Sequence, residues 1–106
     1  MVEEISPLEF VRRREAGEDL VLLDVREPEE LEVASLPGAL HIPMGQVPGR
    51  WLELERGRTL VVVCRSGVRS LQVARYLGRQ GFGQVANLSG GILRWALEVD
   101  PDLPDY

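Results

Sequence analysis

Four consecutive apolar residues, from position 60 to position 63, constrain the fold of this chain more than any other segment. A short run of this kind, rich in β-branched valine, predicts a strand buried on both faces of a sheet. Cys64-Arg65-Ser66-Gly67 follows directly, and residues 69–80 then have the apolar spacing of a helix. The single cysteine of the chain is therefore predicted to lie where a central strand passes through a tight loop into a helix.

The rest of the chain alternates between strand and helix patterns in the same way. Ser6-Pro7-Leu8-Glu9 resembles a capping box with proline at the first helical position, and Gly90-Gly91 predicts a tight turn that opens the last helix. Strands are predicted up to residue 5 and at 20–25, 40–42, 59–63 and 84–88. Helices are predicted at 7–16, from 28, and at 46–55, 69–80 and 91–98. This alternation predicts an α/β fold, with a parallel sheet covered by helices on both faces.

A length of 106 residues suits one domain, which we place at 1–99. The segment 100–106 contains two prolines and is predicted to be a loosely attached tail. The net charge is −5, and arginine supplies all twelve positive charges, so the chain lacks the basic surface that general nucleic-acid binding requires. Apolar runs are far shorter than the about 20 residues of a membrane span, and the acidic start does not resemble a signal peptide, so we expect a cytoplasmic protein.

The loop after position 63 has the composition of an anion-binding site. Gly67 allows the positive φ that a tight loop needs, and a curled backbone would point successive N–H groups inward beside a helix N-terminus. Such surroundings lower a cysteine pKa from about 8.5 and favour the thiolate, which is the nucleophilic form. The alternative is that Cys64 is a small buried hydrophobic residue, but polar Arg65, Ser66 and Arg69 are poor neighbours for an inert thiol.

One cysteine allows no internal disulfide and no resolving thiol, so any group that Cys64 acquires must leave to another molecule. His41 is the only histidine, and it has no second histidine or cysteine beside it to complete a metal site. We expect no metal and no cofactor.

Several segments together resemble the single-domain rhodaneses, the thiosulfate sulfurtransferase family. The loop 64–70 is similar to their active-site loop, and residues 22–27, 36–43 and 81–95 are similar to their other signatures in the same order. Many relatives have Gly-His-Ile where this chain has Ala34-Ser35-Leu36. The resemblance implies a three-layer α/β/α fold with five parallel strands in the order 3-2-4-5-1, and it places the loop at the carboxyl edge of a central strand.

The resemblance also implies a reaction and roles for particular residues. Cys64 would accept a sulfane sulfur as a persulfide, with Arg65, Ser66, Gly67, Val68 and Arg69 forming the substrate loop around it. Arg69 would close the loop, and Arg65 would face its mouth and attract anionic donors. The alternative for Arg69 is a salt bridge that only holds the shape of the loop, and the two roles can coexist. Asp24 and Arg26 would support the site, more as a network that braces the loop than as substrate contacts.

Other functional classes stay open at this point. Related phosphatases and arsenate reductases use loops that resemble Cys-x5-Arg, whereas this chain has Cys-x4-Arg, a smaller loop with no acidic residue. A non-catalytic module or sulfur carrier is the third class. The partners implied are a small anionic sulfur donor and a thiol, cyanide or protein acceptor, with no nucleic acid and no membrane. The sequence does not distinguish among donors, acceptors or oligomeric states.

Overall fold

The computed structural model describes residues 2–104, which form one parallel five-stranded sheet with helices on both faces. The strands are β1 (Glu3–Ile5), β2 (Leu20–Asp24), β3 (Leu40–His41), β4 (Thr59–Val63) and β5 (Val85–Leu88). The helices are α1 (Pro7–Glu15), α2 (Pro28–Val33), α3 (Val47–Arg50), α4 (Val68–Arg79) and α5 (Gly91–Glu98). The strand order is β1-β5-β4-β2-β3, which confirms the predicted order read from the opposite edge.

Strand β4 lies in the middle of the sheet and carries the core of both layers. Val61 and Val63 face the layer that contains α1 and α5, whereas Leu60 and Val62 face the layer that contains α3 and α4. This alternation is what a strand buried on both sides requires, since successive side chains point to opposite faces. Cys64 continues it and belongs to the α4 side.

Sequence patterns predicted the helix starts well. The Ser6 hydroxyl accepts a hydrogen bond from the Glu9 amide, and Pro7 occupies the first turn of α1. Helix α2 begins at Pro28, where the Glu30 carboxylate accepts from the Glu27 amide at 2.9 Å. That bond places Glu30 at the start of α2 and holds it near the sheet edge.

The predicted single helix at 46–55 was wrong. The chain instead forms the four-residue α3 between two short 3-10 helices, Met44–Gln46 and Trp51–Glu53. Pro48 and Gly49 lie in this segment, and both disfavour a continued α-helix.

The segment after α5 is attached in part. The Val99 and Asp100 amides both donate to the Trp95 carbonyl, and half-buried Leu103 packs on the α1 and α5 side of the core. Residues 105 and 106 of the predicted tail lie outside the described residues. No helix within residues 2–104 has the length and apolar character needed to cross a bilayer.

Candidate active site

Cys64 lies at the carboxyl edge of the sheet, one residue beyond β4. Val63 is paired with Asp24 of β2, so the segments that follow these two strands meet at the same edge. The Cys64 residue is 1% exposed and contacts the core on the α4 side. The sequence therefore places a buried thiol where open α/β sheets place their ligands.

Backbone amides of the following loop point at the sulfur. The Gly67 amide donates to Cys64 Sγ at 3.1 Å, and the Ser70 amide donates to it at 3.4 Å. Burial raises the pKa of the Cys64 thiol, but hydrogen bonds from Ser70 and from the Gly67 and Ser66 amides outweigh it, and the pKa lies below its ordinary value. The loop thus favours the thiolate, as its composition predicts.

The start of α5 fixes the opposite side of the same loop. The Ile92 amide donates to the Cys64 carbonyl at 3.0 Å, and the Leu93 amide donates to the Arg65 carbonyl at 3.1 Å. Because a trans peptide places C=O and N–H on opposite sides, carbonyls held by α5 leave the next amides free to face the loop interior. The first turn of α5 therefore orients the amides of the candidate anion site.

The close approach of α5 to the Cys64 loop depends on two glycines, which form the tight turn that the sequence predicts. Gly90 and Gly91 have φ of +77° and +58°, in the left-handed region. A Cβ at Gly91 would lie 2.3 Å from the Cys64 carbonyl oxygen and 2.5 Å from that of Arg65. A side chain at position 91 would thus separate α5 from the loop.

A neutral hydrogen-bond network connects the loop to β5. The buried Asn87 side chain donates from Nδ2 to the Gly67 carbonyl at 3.1 Å and to both carboxylate oxygens of Glu4, at 3.1 and 3.2 Å. Its Oδ1 accepts from the Ser70 hydroxyl at 2.5 Å. Asn87 therefore binds the loop at its middle and at its end.

Arg69, at the end of the loop, forms a bidentate ion pair with α2. Its guanidinium donates to the two oxygens of Glu30 at 2.7 and 2.8 Å. These bonds lower the pKa of Glu30 from 4.5 to about 2, against the opposing effect of burial. The geometry joins the loop to α2, and the predicted role of Arg69 in closing the loop stays a prediction.

Asp24 and Arg26 form a second ion pair, and neither side chain has meaningful contact with solvent. Arg26 donates from Nε and Nη2 to the Asp24 carboxylate and from Nη2 to the Ala34 carbonyl at 2.8 Å. His41 Nε2 donates to the Arg26 carbonyl at 2.7 Å. The pair thus binds the segment after β2 to the chain that follows α2, where Leu36 of the unusual Ala-Ser-Leu segment is buried in the core.

Three of the predicted loop residues are open to solvent. Arg65, Ser66 and Val68 are exposed, whereas Gly67 is buried. A concave surface continues from Ser66 and Val68 along Gln72 and Arg75 of α4. The predicted loop residues are therefore brought together around Cys64, while Asp24 and Arg26 lie behind the loop.

Sequence reasoning missed three contributors to this site: Glu30, Ser70 and Asn87. The Ser70–Asn87 and Glu30–Arg69 hydrogen bonds join residues that are 17 and 39 positions apart along the chain. Asn87 carried a signal, because it is the only polar residue in the otherwise apolar strand β5. A buried polar side chain in a central strand requires partners, and here those partners are in the loop.

The fold and site define a small α/β domain with its cysteine in a tight loop lined by amides, and comparisons with known proteins identify its family. The rhodanese-like domain model matches residues 6–98. The chain is 44% identical over 96 residues to a sulfurtransferase of Allochromatium vinosum, covering 91% of this chain and 90% of that protein. It is 42% identical over 100 residues to YtwF of Bacillus subtilis, covering 94% and 96%.

Solved structures give the same result. A rhodanese-like domain protein from Staphylococcus aureus superposes with a TM-score of 0.85 at 28% identity, covering 99% of each chain. A rhodanese-related protein from Thermoplasma volcanium superposes with a TM-score of 0.84 at 29% identity, covering 98% of this chain and 99% of its own. The chain belongs to the rhodanese-like family, which includes sulfurtransferases and sulfur carriers and whose members act between a sulfur donor and an acceptor.

Proposed function

We propose that this protein is a sulfurtransferase that moves a sulfane sulfur from a small anionic donor such as thiosulfate to a thiophilic acceptor. The Cys64 thiolate attacks the outer sulfur of thiosulfate, the new S–S bond forms, and sulfite leaves with the electron pair of the broken S–S bond. A nucleophile such as cyanide or a thiolate then takes the terminal sulfur and returns Cys64 to the thiolate. No net oxidant or reductant is needed for the cyanide reaction.

The observation that supports this proposal most directly is the pair of amides from Gly67 and Ser70 that point at Cys64 Sγ. Donors already aimed at a negative charge need no reorganisation when the charge forms or moves. The same loop interior would stabilise the thiolate, the persulfide and the sulfonate end of a donor. The cytoplasm, where thiols stay reduced, suits a chemistry that depends on a free thiolate.

Phosphatase chemistry is less well supported. A phosphoryl group would need the loop arginine to face the bound anion, whereas both ends of the Arg69 guanidinium are engaged by Glu30. The loop also has four residues between Cys64 and Arg69, one fewer than the phosphatase pattern. We therefore expect hydrolysis of an aryl phosphate to stay at background, and robust phosphatase activity would overturn the proposed reaction.

Intact-protein mass measures the covalent intermediate. Incubation with thiosulfate should add the mass of one sulfur atom, and cyanide or a reducing thiol should remove it. Cys64→Ser should add nothing. A wild-type mass that stays unchanged with thiosulfate, polysulfide and a persulfidated thiol would refute the proposal, whereas charging by polysulfide alone would change only the donor.

The two arginines of the loop should differ in kinetics. Arg69→Ala removes the link to α2 and should slow persulfide formation by roughly a hundredfold, the cost of losing one oriented donor set. Arg65→Ala removes charge from the mouth and should chiefly raise the half-saturating thiosulfate concentration and weaken the salt dependence. Equal effects on binding alone would refute this division but not the sulfurtransferase assignment.

A further inference from the structure

The Ser70 hydroxyl has two possible acceptors and one proton. The Ser70 amide donates to the Cys64 sulfur at 3.4 Å, which places this residue beside the sulfur, and a hydrogen bond from its side chain lowers the pKa of the thiol. The Ser70 hydroxyl also lies 2.5 Å from Asn87 Oδ1. Because a serine hydroxyl donates only one hydrogen bond, it cannot serve both groups at once.

The partners of Asn87 settle which group receives that proton. Nδ2 faces the Gly67 carbonyl and the Glu4 carboxylate, both of which only accept hydrogen bonds when Glu4 is ionised. Turning the amide over would place Oδ1 against these acceptors. Oδ1 must therefore face Ser70, and the short contact between the two oxygens requires the Ser70 hydroxyl to donate to it.

We propose that Asn87 is a positioning residue of the active site, which withdraws the Ser70 hydroxyl proton from Cys64 and leaves the sulfur bound by backbone amides alone. Through the Gly67 carbonyl the same side chain also fixes the peptide whose N–H belongs to Val68, on the opposite side of that peptide. This inference rests on the proposed function in one respect, that the thiolate is the reactive form.

The arrangement has a chemical consequence for the nucleophile. A hydrogen bond from a hydroxyl stabilises a thiolate but occupies one of its lone pairs, so its removal raises intrinsic nucleophilicity as it raises basicity. The amides of Gly67 and Ser70 are held by the backbone and cannot follow the sulfur. A mobile hydroxyl could follow it, and Asn87 prevents that.

The test substitutes none of the charged groups on the elements around the sulfur, including Arg65 in the loop itself. Arg69 from α4 interacts electrostatically with Cys64, and Glu30 from α2 pairs with it. The Asp24–Arg26 pair lies on the neighbouring strand β2 and its following residues. On the β5 side, the Glu4 carboxylate of β1 accepts from Asn87 and loses that donor in Asn87→Ala.

A double-mutant cycle on the alkylation pKa of Cys64 tests the proposal. The rate of reaction with iodoacetamide is measured against pH for the wild type, Ser70→Ala, Asn87→Ala and the double variant. We expect Ser70→Ala alone to leave the apparent pKa unchanged or slightly lower. In the Asn87→Ala background the freed hydroxyl reaches sulfur, so adding Ser70→Ala should raise the pKa by about one unit.

A rise of about one unit on Ser70→Ala in both backgrounds would overturn the proposal, because it would show that the hydroxyl serves sulfur in the wild type. The absence of an effect in both backgrounds would also overturn it. If Asn87→Ala does not fold, as judged by circular dichroism, Ser70→Ala alone still shows whether the hydroxyl donates to Asn87 or to the Cys64 sulfur in the wild type. A rise of the pKa in that variant would overturn the proposal. Persulfide formation by mass tests the proposed function separately, so either claim can fail without the other.

Discussion

The Cys64 loop is held by charged groups on one side and by neutral groups on the other. Toward α2 the contact is the Arg69–Glu30 ion pair, and the Asp24–Arg26 pair joins the neighbouring segments after β2 and α2. Toward β5 and α5 they are the Asn87 amide, the Ser70 hydroxyl and the backbone of the α5 first turn. Ion pairs join elements together, whereas neutral groups that both donate and accept can set the direction of each peptide in the loop.

The comparison explains why an amide stands in β5. The position faces a carbonyl, which needs a donor, and a hydroxyl, which needs an acceptor. Asparagine supplies both from one planar group, and an ionised carboxylate or an arginine supplies only one kind. The charged side has no such requirement, since each guanidinium there meets a carboxylate.

Breaking the buried ion pair should have the largest effect on stability. Arg26→Ala leaves the Asp24 carboxylate without its buried partner and the Ala34 carbonyl without a donor. Loss of one partner of a buried pair costs about 3 to 5 kcal/mol. Urea unfolding measures this loss, and Arg58→Ala, which breaks the exposed pair with Asp19, is the control that should change little. A loss no larger than in the control would contradict the role assigned to Arg26.

Separating α5 from the loop should have the second-largest effect on stability. In Gly91→Ala the new Cβ meets the Cys64 and Arg65 carbonyls, and we expect a loss of about 2 to 4 kcal/mol with reduced persulfide formation. Gly17→Ala is the matched control, because Gly17 also has positive φ but nothing within 4 Å of its Cβ position. Equal losses would mean that backbone conformation alone, and not the contact with the loop, sets the requirement for glycine at 91.

The partly buried Arg69–Glu30 ion pair should give a smaller, pH-dependent effect on stability. The pKa of Glu30 is lowered from 4.5 to about 2 in the folded protein. The pair therefore stabilises the fold fully when the pH is above the unfolded pKa of 4.5, and this contribution is lost as the pH falls toward 2. Because Arg69 is about one-third exposed, solvent reduces the gain to about 1 kcal/mol.

Comparison of wild type with Glu30→Gln checks this sign. The difference in unfolding free energy should be present at pH 6 and should shrink as the pH approaches 2. A difference that grows on acidification would contradict the linkage.

The smallest expected effect is the lowering of the Cys64 pKa. The apparent pKa of Cys64 from iodoacetamide alkylation should lie below the free value of about 8.5, because hydrogen bonds from Ser70 and from the Gly67 and Ser66 amides outweigh burial. Alkylation should therefore slow only when the pH falls below the lowered pKa of Cys64. A profile centred at or above it would show that neither side of the loop activates the sulfur.

Much of the fold was predictable from local pattern. The apolar run of β4, the proline starts of α1 and α2 and the turn at Gly90 were visible because each depends on neighbouring residues. Strand order was different in kind, since periodicity carries no information on it and the family resemblance supplied it. The region around Pro48 was mispredicted because helical periodicity continued where the backbone did not.

The site was predictable to the extent that it is local in sequence. Cys64, the loop and its inward amides follow from one short segment. The contacts that orient the loop come from Glu30, Asn87 and the first turn of α5, and they form only when distant segments fold together. Their partners could not be deduced from the residues alone, although a lone asparagine in β5 marked where to look.

The depth of Cys64 has a consequence for how a partner could tell one form of the protein from the other. The residue is 1% exposed, so without a bound sulfur the Cys64 side chain offers almost no surface to an acceptor. A second sulfur adds about 2 Å, and it must extend toward the opening through which the donor arrived. In the proposed persulfide form, an acceptor would then contact the transferred sulfur rather than Cys64 itself. An acceptor could therefore distinguish the two forms by whether a sulfur atom is accessible at the opening of the loop.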